Sequence, residues 1–129
     1  MLSGLFFDIQ SFTAKDPGEF KSDCTFVISL NPTHPIFQGH FPGNPVVPGV
    51  CQIQMIMELV ETIVNHPLNL VESDNVKFLS MINPVDNPQL ECNIVLKSLN
   101  DPLISVIASI GAGATVFLKF KGKFEMAAI

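Results

Sequence analysis

The chain contains no tryptophan, no tyrosine and no arginine, so lysine supplies all seven of its cationic residues. Twelve acidic residues outnumber them and give a net charge of −5, which argues against nucleic acid as a partner. Apolar residues make up 47% of the chain and the mean hydropathy is +0.39. No uninterrupted apolar run approaches the ~18–20 residues that a membrane span needs. We therefore expect no transmembrane helix, and we attribute the high apolar content to a subunit interface.

Cysteine is scarce, and its spacing matches no metal-binding motif. Cys24, Cys51 and Cys92 are odd in number and lie in apolar surroundings, which predicts buried thiols and no metal site. Cys51 follows an expected helix start and is also a candidate for lining a pocket. The N-terminus lacks a basic region and carries an early Asp8, so it is a poor signal peptide. We expect a single cytoplasmic domain over residues 1–129.

Hydrophobic alternation divides most of the chain into strands, and only one segment is typical of a long helix. The helix is expected over residues 49–65, beginning after Pro48 and ending at Asn65-His66-Pro67. It is apolar nearly all round, which predicts a buried helix. Strands are expected over residues 4–14, 19–30, 70–79, 89–99, 103–111 and 115–125. The predicted fold class is α+β, an antiparallel sheet with one buried helix.

The loop before this helix has the composition of a functional site. His40 stands in a Gly-His-Phe-Pro context, and Gly39 permits backbone angles that other residues avoid. Pro42, Pro45 and Pro48 restrict the loop and remove backbone donors. The helix that follows leaves its first N–H groups free, beside the positive end of its dipole. This arrangement predicts a rigid imidazole beside a site that can bind a carbonyl oxygen.

Five segments resemble the (3R)-hydroxyacyl-acyl carrier protein dehydratases of the hot-dog fold. They are His34-Pro35, Gly39-His40-Phe41-Pro42, Pro45-Val46-Val47-Pro48-Gly49-Val50, Val76-Lys77-Phe78 and Asn83-Pro84-Val85-Asp86. The resemblance implies a sheet curled around the central helix and a dimer of such subunits. It also implies elimination of water from a 3-hydroxyacyl thioester, in fatty-acid or related acyl-chain biosynthesis. No cofactor is implied, because elimination β to a thioester needs neither a metal nor a redox group.

The resemblance also assigns roles to residues. His40 would remove the C2 proton as general base, and the Gly49 N–H would hold the thioester oxygen. We expect Phe41, Pro48, Val50 and Cys51 to line the substrate site. The implied site is composite, with His40 of one subunit facing position 54 of the other. The implied substrate is a thioester of acyl carrier protein or coenzyme A, and the implied assembly is a homodimer or a higher assembly of dimers.

Position 54 departs from the family pattern. The family has Glu or Asp 14 residues after its catalytic His, and this chain has Gln54. A carboxylic acid delivers a proton to the departing hydroxyl, whereas an amide only orients the hydroxyl or a water. Glu58, one helical turn further along the polar line Gln54–Glu58–Glu61, is a candidate substitute acid. A solvated or interface carboxylate is the alternative for Glu58.

Two other functions stay open. A weakly active or non-catalytic acyl-binding subunit, including a partner subunit in a heterodimer with an active paralogue, is compatible with Gln54. A hot-dog acyl thioesterase is the third candidate, although water activation usually needs a carboxylate on the helix. His34 is expected to be structural, and His66 to interact with the helix C-terminus. Lys119, Lys121 and Lys123 either meet an acidic carrier protein or guard a sheet edge.

Overall fold

The computed structural model describes residues 2–15, 23–39 and 43–128. Within them the helices are α1 (Ile36–Gly39) and α2 (Gly49–Val64). The strands are β1 (Phe7–Ala14), β2 (Asp23–Leu30), β3 (Leu68–Phe78), β4 (Gln89–Ser98), β5 (Leu103–Ala112) and β6 (Thr115–Met126). Each predicted element is present, although residues 19–22 of the second predicted strand lie outside the described residues. The first strand begins at Phe7 instead of residue 4, because residues 4–6 form a turn in which Gly4 has a positive φ of 87°.

All six strands form one antiparallel sheet in the order β1-β2-β4-β5-β6-β3. Its two edges are therefore β1 and β3, while β6 lies inside the sheet between β5 and β3. The interpretation of Lys119, Lys121 and Lys123 as guards of an edge strand is wrong, because β6 is hydrogen-bonded on both sides. Strict alternation of buried and exposed residues along β2 and β4 gives the sheet one core face and one outer face.

The core lies between α2 and the inner face of the sheet. Its largest fully buried side chains include Phe26, Phe120, Phe124, Met55 and Leu59. All three cysteines are buried and stand outside any disulfide of the described residues, and their burial is expected from their apolar surroundings. Within the described residues, neither helix combines the length and apolarity that a membrane crossing requires.

Helix α2 begins and ends where the sequence predicts. Pro48 is its N-cap in extended conformation, and Asn65 closes it in the left-handed region at φ 54° and ψ 48°. The backbone N–H of Asn65 donates to the carbonyl of Glu61, which satisfies one of the last free carbonyls. The helix is buried as expected, although its burial is one-sided in the single chain. One side faces the core, but the opposite side leaves Val50 with 75% of its surface exposed.

Candidate active site

The expected base His40 and its neighbour Phe41 lie outside the described residues. The described remainder of their loop is held in place at Val47, whose side chain is buried. The Val47 N–H donates to the carbonyl of Ile82 at 2.9 Å. Its own carbonyl accepts a hydrogen bond from Gln52 Nε2 at 3.1 Å. The segment leading into α2 is therefore fixed between the β3–β4 connection and the first turn of the helix.

The first turn of α2 presents backbone donors toward an adjacent cavity. The N–H groups of Cys51 and Gln52 both donate to the carbonyl of Pro48, at 3.0 and 3.1 Å. Among the hydrogen bonds found in the described residues, none uses the N–H of Gly49 or Val50. A Cβ atom at Gly49 would lie 2.8 Å from the ring of Phe78, so glycine allows that ring to approach the helix start.

A cavity of about 580 Å³ opens at this helix start. Its lining residues are Val46, Val47, Pro48, Gly49, Gln52, Phe78, Leu79, Ser80 and Met81. Gln52 is only 3% exposed, and its Oε1 is a buried acceptor without a hydrogen-bond partner in the part of the chain that is described. The cavity thus lies beside the first N–H groups of the helix, for which the described residues supply no hydrogen-bond partner. Such a site suits a ligand that carries a carbonyl oxygen.

Gln52 was not among the sequence candidates. A signal for it is present in the sequence, because Gln52 is a polar residue on α2 outside the polar line Gln54–Glu58–Glu61. A polar side chain on the apolar side of a helix needs a buried partner, and the carbonyl of Val47 supplies it.

Glu58 is buried, with only 4% of its surface exposed, and both of its carboxylate oxygens accept hydrogen bonds. The N–H groups of Leu2 and Ser3 donate to its two carboxylate oxygens at 2.8 Å each. Gln54 Nε2 donates to Glu58 Oε2 at 2.9 Å. These donors occupy both carboxylate oxygens, whereas a general acid must direct one of them at the substrate. The contacts therefore assign Glu58 a structural task, anchoring the N-terminal segment and orienting the amide of Gln54.

Gln54 lines a different cavity from Gly49. This second cavity, of about 240 Å³, also borders Val50, Ile53, Met57, Leu68, Asn69, Leu70 and Phe124. Gln54 lies five positions after Gly49, which places it about 140° further around the helix axis and about 7.5 Å along it. The two groups therefore face different directions within one chain. Gly49 and Gln54 therefore lie on the same helix but do not line the same cavity of one chain.

The remaining candidates are placed as follows. Pro48 lines the cavity at the helix start, Val50 lines the Gln54 cavity, and Cys51 points into the core. Burial raises the pKa of the Cys51 thiol, which disfavours the thiolate that a nucleophile requires. His34 Nδ1 accepts the N–H of Ile36 at 3.1 Å, and its ring meets Phe6 edge-on, in keeping with a structural histidine.

Comparison with known protein sequences finds dehydratases that are similar to this chain. A family model described as ApeI-like, ApeI dehydratase, matches residues 17–104. The 3-hydroxyacyl-(acyl-carrier-protein) dehydratase FabZ of Wolbachia pipientis subsp. Culex pipiens (strain wPip) is 31% identical over 98 residues, covering 67% of this chain and 68% of the relative. FabZ of Levilactobacillus brevis is 30% identical over 103 residues, covering 74% of this chain and 68% of the relative. FabZ of Lawsonia intracellularis is 34% identical over 82 residues, covering 56% and 52%. The chain thus spans between about half and two thirds of the length of these relatives.

Solved structures share the fold. The dehydratase heterocomplex ApeI:P from Xenorhabdus doucetiae has a TM-score of 0.68 at 22% identity, covering 91% of this chain and 96% of that one. An uncharacterized protein from Erwinia carotovora subsp. atroseptica has a TM-score of 0.65 at 22% identity, covering 94% and 95%. The putative thioesterase yhdA from Lactococcus lactis has a TM-score of 0.65 at 10% identity, covering 96% of both chains. At these identities the likeness defines the fold, which is the hot-dog fold predicted from the sequence.

Proposed function

Because the chain belongs to the ApeI-like dehydratase family, we propose that it eliminates water from a 3-hydroxyacyl thioester to give a trans-2-enoyl thioester. The observation that carries this proposal is the start of α2, where Gly49 opens a cavity of about 580 Å³ directly after the His40 loop. Free N–H groups at a helix start stabilise negative charge that develops on an adjacent oxygen. An enolate oxygen is the charge that develops when a proton leaves C2 of a thioester.

In this mechanism His40 takes the C2 proton, and the electron pair moves toward the thioester carbonyl held by Gly49 N–H. The C3–O bond then breaks, and the departing hydroxyl needs a proton to leave as water. Gln54 has no proton to give, but its Oε1 accepts a hydrogen bond and holds the hydroxyl or a water in place. The protonated imidazole of His40, or that water, then supplies the proton. The proposed substrate is linked to acyl carrier protein or coenzyme A.

We further propose that the site is completed by a second subunit across the β3 edge. β3 is an unpaired edge of eleven residues, and it carries Leu70 and Val71 at 42% and 48% exposure. Beside it, Val50 of α2 is 75% exposed. A long unpaired edge that carries exposed apolar residues, next to an apolar helix face, is a surface that proteins bury on association. Because Gly49 and Gln54 face different cavities, each site would combine Gly49 of one subunit with Gln54 of its partner. Buried cysteines outside any disulfide of the described residues also fit the cytoplasm as the compartment.

A second candidate is an acyl-binding partner subunit with little activity of its own. The observation in its favour is the hydrogen bond from Gln54 Nε2 to Glu58, which holds an amide where family members hold an acid. An inactive copy would still bind the thioester through Gly49 and would contribute its surface to an active paralogue. Thioesterase activity is disfavoured, because the one carboxylate near Gln54 already accepts the N–H groups of Leu2 and Ser3.

The test is turnover of a 3-hydroxyacyl thioester, followed at the absorbance of the enoyl product, with thioester hydrolysis measured in the same samples. We expect dehydration by the native protein and its loss in His40→Ala. The matched control is His66→Ala, since that ring lies at the far end of α2 and contacts the carbonyl of Pro67. Unchanged dehydration in His40→Ala would refute the assignment of the base. Hydrolysis in place of dehydration would establish the thioesterase, and binding without either reaction would establish the partner subunit.

A further inference from the structure

The first described residues of the chain form a compact turn, here called the N-terminal strap (residues 2–7). The N–H of Phe6 donates to the carbonyl of Leu2 at 2.7 Å. The N–H of Gly4 donates to the carbonyl of Phe7, also at 2.7 Å, and Gly4 has a positive φ of 87°, which glycine adopts without strain. Because these hydrogen bonds close the strap on itself, its two ends are held together as one unit.

One end of the strap is bound to helix α2 through Glu58. Glu58 Oε2 accepts the N–H of Leu2 at 2.8 Å and the side-chain amide of Gln54 at 2.9 Å. Glu58 Oε1 accepts the N–H of Ser3 at 2.8 Å. The strap and Gln54 therefore share one carboxylate, and one of its oxygens serves both. A displaced strap would move that oxygen, and with it the hydrogen bond that holds the Gln54 amide.

The other end of the strap is fixed by an aromatic cluster. Phe6 is completely buried, and its ring contacts the rings of His34 and Phe37, with ring centroids 5.3 Å apart in each pair. The backbone carbonyl of Phe6 accepts the N–H of Asn31 at 2.9 Å. The strap is thus supported by the core at one end, while its other end holds Glu58.

Anchoring the strap does not by itself require a carboxylate at position 58. Phe6 and Phe7 are already in the core, with 0% and 1% of their surfaces exposed. A buried carboxylate costs free energy unless hydrogen bonds hold it, whereas an apolar side chain at the same place does not. Within the described residues, no ion pair involves Glu58. What the carboxylate adds, and an apolar side chain would lack, is a hydrogen bond that orients Gln54.

We propose that the N-terminal strap and Glu58 form a clasp that fixes the orientation of the Gln54 amide toward the acyl ligand. Leu2, Ser3 and Glu58 are positioning residues, because they act through Gln54. With one N–H bound to Glu58, the amide presents its Oε1 and its second N–H in a fixed direction. Misplacement of a group that orients the reacting atoms reduces turnover. The identity of the ligand rests on the proposed function; the hydrogen bonds of the clasp do not.

The direct test follows the side-chain amide of Gln54 by heteronuclear NMR. Ser3→Pro removes one N–H of the clasp and restricts the backbone angles of Leu2, which supplies another. We expect the Gln54 amide protons to exchange with water about tenfold faster in the variant. The side-chain amide of Gln10, which donates to Ser29 Oγ on the exposed face of the sheet, is the control in the same spectrum and should not change. Equal exchange at Gln54 in both proteins would refute the clasp.

The kinetic test is a double-mutant cycle between Ser3→Pro and Gln54→Ala. We expect Ser3→Pro to lower kcat for a 3-hydroxyacyl thioester about tenfold in the native background, and to have no further effect beside Gln54→Ala. The matched control is Ser11→Pro, the same substitution on the edge strand β1, which should leave kcat unchanged. Equal losses in both backgrounds would mean that the strap acts on the fold as a whole, and would overturn the proposal.

The two measurements separate the clasp from the proposed function. Faster exchange at Gln54 in Ser3→Pro, in a protein that shows no dehydration, supports the clasp and counts against the proposed function. Unchanged exchange in a protein that dehydrates its substrate refutes the clasp and leaves the proposed function intact. If Ser3→Pro does not fold, Phe6→Leu loosens the strap from its other end by removing the ring contacts with His34 and Phe37. The same Gln54 signals then decide, and unchanged exchange again refutes the clasp.

Discussion

Gln54 and Glu58 are joined by a hydrogen bond of 2.9 Å from the amide nitrogen to a carboxylate oxygen, one helical turn apart. The same carboxylate receives the N–H groups of Leu2 and Ser3. This bond uses one of the two N–H donors of the Gln54 amide, which leaves Oε1 and the second N–H to meet a ligand. The amide can therefore orient a ligand at this position, but it has no acidic proton to deliver.

This relationship predicts that Gln54→Glu raises dehydration. Glutamate has nearly the shape of glutamine, so a carboxyl at position 54 would lie in the same mostly apolar cavity, next to the carboxylate of Glu58. Burial and a neighbouring like charge both raise the pKa of such a carboxyl, so more of it stays protonated near neutral pH. That is the protonated acid the elimination needs, and the gain in kcat is expected to reach ~10²-fold. Steady-state kinetics on one 3-hydroxyacyl thioester measures it.

The control for this substitution is Gln10→Glu, which makes the same chemical change on the exposed face of β1. It should leave kcat unchanged. An intact Gln54→Glu protein with no gain in kcat would count against catalysis by this chain and would favour the partner-subunit candidate.

Glu58→Gln is expected to loosen the N-terminal segment. An amide at position 58 has a single acceptor oxygen and turns its nitrogen toward backbone N–H groups that also donate. Leaving one of these donors unpaired costs about 1–3 kcal/mol in the free energy of unfolding, measured with urea. Amide exchange at Leu2 and Ser3 should become faster, whereas Glu91→Gln on the exposed face of β4 should change neither quantity. Lost turnover with both amides still protected would instead support Glu58 as the substitute acid.

Leu70→Glu is expected to separate the proposed dimer. The substitution places a charge on the β3 edge, where burial against a partner would require desolvating it. Light scattering should show a dimer for the native protein and a monomer for the variant at micromolar concentration. Ser11→Glu places the same charge on β1, the other edge of the sheet, and should remain a dimer. A native monomer would remove the composite site from the proposed function.

Gln52→Leu is expected to destabilise the start of α2. The variant leaves the carbonyl of the buried Val47 without the donor that Gln52 Nε2 supplies. The expected loss is about 1–2 kcal/mol in the free energy of unfolding, and KM should rise because the segment carrying Pro48 and Gly49 is no longer fixed. Gln52→Glu keeps the shape and the acceptor oxygen but loses the donor, so it should reproduce the loss of stability. A stable Gln52→Glu protein with native kinetics would contradict this role.

Much of the fold follows from local pattern. Alternating residues such as Phe26 and Ile28 predict a strand, because side chains on a strand point to opposite faces. Pro48 and Asn65 predict both ends of α2, because the first lacks an N–H and the second tolerates left-handed angles. The His40 loop and Gly49 are recognisable from the same local chemistry. These features depend on residues within one or two turns of each other, which is the range that a sequence shows directly.

Tertiary structure decided the features that depend on distant residues. Glu58 reads as a solvated carboxylate on a polar line, yet Leu2 and Ser3 bind it from 56 and 55 residues away, and it is buried. Lys119 and Lys121 read as guards of an edge, yet β3 joins the far end of the sheet and makes β6 an interior strand. Gly49 and Gln54 are five residues apart and still face separate cavities, because Gly49 lies beside the end of β3 and Gln54 beside its start. Strand order and helix orientation are set by packing of the whole core, and no short stretch of sequence contains that information.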